Sequence, residues 1–146
     1  MASVFTCRVE WIEGKKASLS FDGKASLEFS YPPAFGGLEG LPCPEELFIA
    51  AVNACTLTSF LYFAERLGLK FKGYSCTAEG SLEKTAEGHH VFSKIVLKPT
   101  VKLESGEDEA KARKVFEYVE KFCIVSRSIE GKVAVELKPE ITVEAG

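Results

Sequence analysis

No two cysteines in this chain form a CxxC pair. Cys7, Cys43, Cys55, Cys76 and Cys123 lie far apart, which excludes a zinc ribbon and a thioredoxin-type dithiol motif. Five cysteines at such spacings make a poor disulfide framework, and a chain of 146 residues needs none to build its core. Excess basic charge is also missing. Eighteen lysines and arginines against 21 aspartates and glutamates leave a net charge of −3, which argues against a sequence-independent nucleic-acid binder. No charged n-region or cleavage signal opens the chain, so the expected location is the cytoplasm. There is no internal repeat, low-complexity tract or interdomain linker, and a single domain over 1–146 is expected.

One long uncharged run is present, the eighteen residues Leu47–Ala64. Its length reaches the lower edge of a membrane span. It carries Asn53, Thr56, Thr58 and Ser59, is bracketed by Glu45 and Glu46 on one side and Glu65 and Arg66 on the other, and has no polybasic flank. A buried core helix is therefore expected, with no membrane. Pro44 suits the first helical turn, Glu45 and Glu46 favour the positive end of the dipole, and Gly68 is a stop signal. Cys43 holds the cap position, where Ser, Thr, Asp or Asn is usual. Ala50, Ala51 and Ala54 would let a second backbone approach closely.

Strand patterns flank this helix. Residues 4–13 alternate, with Val9 and Trp11 on one face, and Gly14 marks a turn. Residues 16–21 and 24–30 surround Asp22–Gly23, a hairpin signal, and a Pro- and Gly-rich loop covers 31–42. Downstream, 70–84 and 89–104 read as two long strands around Glu87–Gly88. An amphipathic helix over 106–122 has Val115, Phe116, Val119 and Phe122 as its stripe, and 132–145 is extended. The order βββ-α-ββ-α-β predicts an α+β fold, a mainly antiparallel sheet packed on two long helices. Trp11, the phenylalanines, Cys7 and Cys76 are expected in the core. His89 and His90 are adjacent in a strand and point to opposite faces, so they read as a surface turn rather than a metal site.

Two cysteines carry candidate chemistry. Cys55 sits inside the apolar helix, where the commonest role of a cysteine is to fill the core. Cys123 ends the second helix, ahead of Ser126 and Arg127. A nearby cation and a change of chain direction favour a reactive thiol, whereas the electronegative helix C-terminus raises its pKa. Two helices packed on one sheet face would be neighbours, and Cys55 and Cys123 could then act as attacking and resolving thiols.

The stretch PEELFIAAVNACTLTSF (44–60), followed far downstream by CIVSRSI (123–129), resembles the OsmC/Ohr family, osmotically induced protein C and organic hydroperoxide resistance protein. The shared pattern is Pro-Glu, an Ala-rich run, Ala-Cys ten residues after the glutamate, and a later Cys-x-Val-Ser. The resemblance implies an OsmC-like fold, an intertwined homodimer, and a thiol-dependent peroxidase that reduces organic hydroperoxides in oxidative stress defence. Cys55 would be the peroxidatic cysteine, Cys123 the resolving one, and Glu45 the active-site glutamate that holds a catalytic arginine in the family. Lipoyl-type dithiols would be the reductant, and no metal, haem or flavin is implied. The family's arginine lies in the N-terminal strands. Here only Arg8 precedes the helix, and the expected position falls near Lys15–Lys16, so Lys15, Lys16 and Arg8 are the candidates to replace it. Lysine supplies charge without the planar fork of arginine. Cys43 is left unassigned.

Helix geometry adds a constraint. Ten residues separate Glu45 from Cys55 by about 15 Å along the axis, so the two cannot meet within one straight helix. If both serve one site, the glutamate comes from a second copy across a two-fold axis, which predicts a homodimer with active sites at the interface. Two other readings share this dimer: a binding protein for a lipid-like or thiol-bearing small molecule, and a redox sensor switched by a Cys55–Cys123 disulfide.

Overall fold

The computed structural model describes residues 3–144, and the chain divides into two compact units, Met1–Phe48 and Ile49–Gly146. In the first, β1 (Arg8–Glu13), β2 (Lys16–Ser20) and β3 (Ser26–Phe29) form an antiparallel sheet in the order β1-β2-β3. The Pro- and Gly-rich loop after β3 is held by its own backbone. Ser30 N donates to Pro42 O at 3.1 Å, Gly37 N to Pro32 O at 3.0 Å and Leu38 N to Ser30 Oγ at 3.1 Å. Only glycine fits at position 37, because a Cβ there would run into the Tyr31 carbonyl. Among the described residues of this unit none covers β1: Trp11 is 75% exposed, and Cys7 precedes the strand and is exposed as well. Both were expected in the core. A lone three-stranded sheet has two faces, and no second layer within the unit covers them.

α1 (Pro44–Leu67) starts and stops at its sequence signals. The Glu46 carboxylate accepts from Cys43 N at 3.1 Å, one half of a capping box, which offsets the missing cap oxygen at Cys43. At the other end Gly68 takes φ 68° and Leu69 N donates to Ala64 O at 2.8 Å, a Schellman-type stop.

The second unit contains most of α1, β4 (Gly73–Lys84), β5 (His90–Leu103), α2 (Glu109–Phe122), a short α3 (Ile124–Ser128), β6 (Ala134–Leu137) and β7 (Glu140–Val143). β4 and β5 form a long antiparallel hairpin, whereas β6 and β7 both pair with β5 in parallel. The extended segment expected over 132–145 is thus two strands. Pro139, which has no N–H, sits at the break, and Lys138 N donates to Leu97 O at 2.8 Å. The parallel pairing follows from the helical crossover through α2 and α3, which returns the chain to the same end of the sheet.

Helix spacing defines the core. α1 buries Val52, Thr56, Phe60 and Ala64, one residue per turn, and α2 buries Ala112, Val115, Phe116 and Val119. Phe60 is at the centre, with ring centroids 5.2, 5.0 and 5.1 Å from Phe71, Tyr74 and Phe116. Truncating such a residue costs about 3–5 kcal/mol. The rest of α1 departs from the buried helix expected: Ala50, Ala51, Ala54, Leu61 and Tyr62 are exposed, because one sheet covers one face of a helix. By length and composition alone α1 is also long and apolar enough to cross a membrane, with a mean hydropathy of 1.7. Its buried stripe is nonetheless packed on protein.

Candidate active site

Cys55 faces the same way on α1 as Ser59 and Tyr62, because residues three and four apart share a helix face. It is half-buried, and its sulfur lies 4.0 Å from Ser59 Oγ. Cys123 is 1% exposed and sits where the chain leaves α2, with Cys123 N donating to Val119 O at 2.9 Å. The same residue precedes α3. This reversal brings the Ser126 hydroxyl and amide back onto its sulfur, although the thiol closes no cap bond of standard geometry.

Burial pushes the Cys123 thiol up, but hydrogen bonding from Ser126, Cys55 and Ser59 outweighs it and holds the thiol below the ordinary cysteine value. The direction is opposite to that expected from the α2 C-terminus, because hydroxyl, amide and thiol donors surround the sulfur. Arg127 has no part in it. Its guanidinium is at the surface, 3.7 Å from Glu130. The two cysteines predicted to pair are therefore neighbours, and both are free thiols.

Cys55 also forms part of the wall of a cavity of about 470 Å³ with Thr58, Ser59, Tyr62, Phe63, Phe122 and Ile124. Its aromatic side is built by stacking. Phe63 lies 5.3 Å from Tyr118, and Tyr118 lies 6.2 Å from Phe122. Arg66 caps the outer ring, its guanidinium 4.4 Å from the Tyr62 centroid. Cavities of this size and character take small apolar ligands. Cys76, expected in the core, is half-buried on β4, and burial raises its thiol. Beside it the Tyr74 hydroxyl is buried without a hydrogen bond of standard geometry, and burial, then the Cys76 and Cys123 thiols, keep that phenol protonated.

Glu45 is half-buried, and its Oε1 is fully enclosed with no hydrogen-bond partner. A single α1 does not bring it to Cys55. Among the three cations considered for the N-terminal strands, Arg8 is paired with Glu10 at 2.8 Å and Lys16 with Glu13 at 3.8 Å. Lys15 has no carboxylate; its Nζ donates to Gly36 O at 2.6 Å and lies 5.6 Å from the Tyr31 ring centroid. Cys43 is buried, donates to Glu46 Oε1 at 3.3 Å and is raised by burial. His89 is exposed beside Glu87, and among the described residues no group of three or more His, Cys, Asp or Glu is arranged to hold a metal ion. Sequence reasoning named Ser59 and Ser126 but gave neither a role at a thiol. Both stand one helical turn after a candidate thiol, and that spacing was the available signal.

Comparison with known proteins agrees with this architecture. The model of the OsmC-like protein family matches residues 37–138. A Bacillus subtilis (strain 168) protein, the uncharacterized YmaD, is 30% identical over 127 residues, covering 85% of this chain and 83% of that one. Among solved structures, an OsmC-like protein of unknown function from Vibrio cholerae superposes with a TM-score of 0.80 at 25% identity, covering 96% of this chain and 99% of the other. An organic hydroperoxide resistance protein from Legionella pneumophila gives 0.77 at 23% identity, covering 96% and 98%. The chain belongs to the OsmC-like protein family.

Proposed function

We propose that the protein is a thiol-dependent peroxidase that reduces organic hydroperoxides through Cys55 and Cys123. The observation that carries this reading is the pair of neighbouring thiols, one of which, Cys55, lines an apolar cavity. The name of the Legionella relative, an organic hydroperoxide resistance protein, supports the same chemistry. The Cys55 thiolate attacks the outer peroxide oxygen, the O–O bond breaks, and the alkoxide leaves as the alcohol after taking a proton. Cys55 is then a sulfenic acid. The Cys123 thiolate attacks its sulfur, hydroxide leaves as water with a second proton, and a disulfide forms. Two electrons from a thiol reductant, a lipoyl-type dithiol or two small thiols, restore both thiols. Exposure divides the labour: Cys55 lines the cavity and meets the peroxide, while Cys123, at 1% exposed, takes no part until Cys55 is oxidised.

The site is completed in a homodimer. An antiparallel partner α1 supplies the Glu45 that one copy cannot, and Lys15, the cation without a carboxylate of its own, replaces the family's arginine. Cumene hydroperoxide turnover with dihydrolipoamide, wild type against Cys55→Ser, tests the enzyme reading; no turnover with several hydroperoxides and dithiols sinks it. The apolar cavity also suits a binding protein for a lipid-like molecule, in which case Cys55→Ser retains the ligand and the wild type shows no turnover. Sedimentation tests the dimer, which a stable folded monomer contradicts.

A further inference from the structure

The two neighbouring thiols face different cavities. Cys55 borders the apolar cavity, and Cys123 does not. Cys123 instead borders an inner cavity of about 40 Å³, together with Thr56, Leu97 and Val119. About 10–15 Å³ admits one water, so this space accepts a thiol group. Glu120, Ser126 and Val135 line both the inner cavity and a surface cleft of about 210 Å³, whose remaining walls include Arg127 and Glu130. The cleft and the inner cavity thus share three wall residues, and the inner cavity borders Cys123.

We propose that this cleft admits the reductant, and that the reductant is a small zwitterionic thiol carrying an ammonium and a carboxylate close to its sulfur. The inference rests on the Cys55–Cys123 disulfide of the proposed cycle. Size points to a small molecule, since drug-sized ligands occupy about 300–1,000 Å³. Charge sets its chemistry: Arg127 meets the carboxylate, and Glu120 and Glu130 meet the ammonium. The Arg127–Glu130 pair is 3.7 Å apart with side chains 56% and 68% exposed, so it opens at little cost. The thiolate attacks Cys123 Sγ, a mixed disulfide forms, and the Cys55–Cys123 bond breaks with its electron pair on Cys55. Attack on this side therefore releases Cys55 as the thiolate that meets the next peroxide. A second thiol molecule attacks the outer sulfur of the mixed disulfide. It leaves as the small-molecule disulfide, and Cys123 takes back a proton. Attack at Cys55 would instead block the sulfur that faces the peroxide.

To test this, the disulfide is made with diamide, so that no peroxide turnover is needed, and is then reduced at equal thiolate concentrations. Cysteine, cysteamine, 3-mercaptopropionate, mercaptoethanol and dihydrolipoamide are compared. Cysteine should be fastest, about tenfold over mercaptoethanol for one charge-assisted contact. Arg127→Gln should erase most of that ratio. Limiting cysteine followed by alkylation should leave the mixed disulfide on Cys123. A mixed disulfide on Cys55, rates indifferent to thiol charge and to Arg127→Gln, or no Cys55–Cys123 disulfide after diamide overturns the proposal. Failure of the peroxidase reading looks different: hydroperoxide forms no disulfide, while the diamide-made one is reduced as described.

Discussion

Phe122→Ala separates the two parts of an organic hydroperoxide, the reacting O–O group and the apolar body held by the cavity. Phe122 forms one wall of that cavity and is 50% exposed, stacked on Tyr118 and 5.8 Å from Phe63. A bound apolar substrate covers the half of the ring that faces water. Burying a whole phenylalanine side chain contributes about 1.5–3 kcal/mol, so half contributes roughly 0.8–1.5 kcal/mol. At about 1.4 kcal/mol per factor of ten, kcat/KM for cumene hydroperoxide should fall roughly 4- to 12-fold. Hydrogen peroxide has no apolar body, and its kcat/KM should change less than about twofold on the same reasoning. The assay is steady-state turnover of both peroxides by wild type and variant. An equal loss for both would mean that the ring acts on the thiols rather than on the substrate. No loss for cumene hydroperoxide would mean that the substrate binds elsewhere.

Cys123→Ser should leave a sulfenic acid on Cys55 after one equivalent of peroxide, seen as a dimedone adduct by mass spectrometry; an adduct elsewhere contradicts the assignment. The rate of disulfide formation should rise with pH as Cys123 ionises and level off above its lowered pKa. Ser126→Ala removes a lowering group, so the rising limb should move to higher pH; a shift to lower pH, or none, refutes the role given to Ser126. Gly37→Ala forces the loop open at Tyr31 and breaks two or three hydrogen bonds worth about 0.5–1.5 kcal/mol each, a loss of roughly 1–4 kcal/mol that calorimetry should register as a lower Tm. An unchanged Tm would show that this loop is not closed in solution. Glu45→Gln discriminates by sign. If no cation reaches the enclosed Oε1, the neutral variant gains stability. If a partner copy pairs it, the variant loses stability and dimerises more weakly in sedimentation.

What could be read from the sequence was local. The limits of α1 follow from Pro44, the two following acids and Gly68, each acting within a turn of the helix. The reversals at Asp22–Gly23 and Gly88 are equally local. Pairing direction is not. β6 and β7 run parallel to β5 because of how the crossover returns, and only the proline at 139 hinted that the last segment breaks. The lowered Cys123 thiol was hidden for the same reason. The end of α2 is visible in the sequence, but the turn into α3 that folds Ser126 back over the sulfur is a tertiary feature.

The largest departures from expectation share one physical form. Trp11 on β1 and the alanine-rich face of α1 are exposed, and among the described residues the enclosed oxygen of Glu45 has no hydrogen-bond partner. Exposed apolar surface of this extent and a buried unpaired carboxylate oxygen are both costly. Composition placed Trp11 and the apolar helix in a core, and composition is sensitive to apolar character without knowing what covers it. In the proposed homodimer, a second copy with α1 crossing α1 antiparallel would cover the small residues. It would also carry a Glu45 past the midpoint of the facing helix, toward the region of Cys55. That proposed dimer would also give the alanine-rich run from Glu45 to Cys55 a purpose: larger side chains there would hold the two helices apart and leave the glutamate short of the thiol.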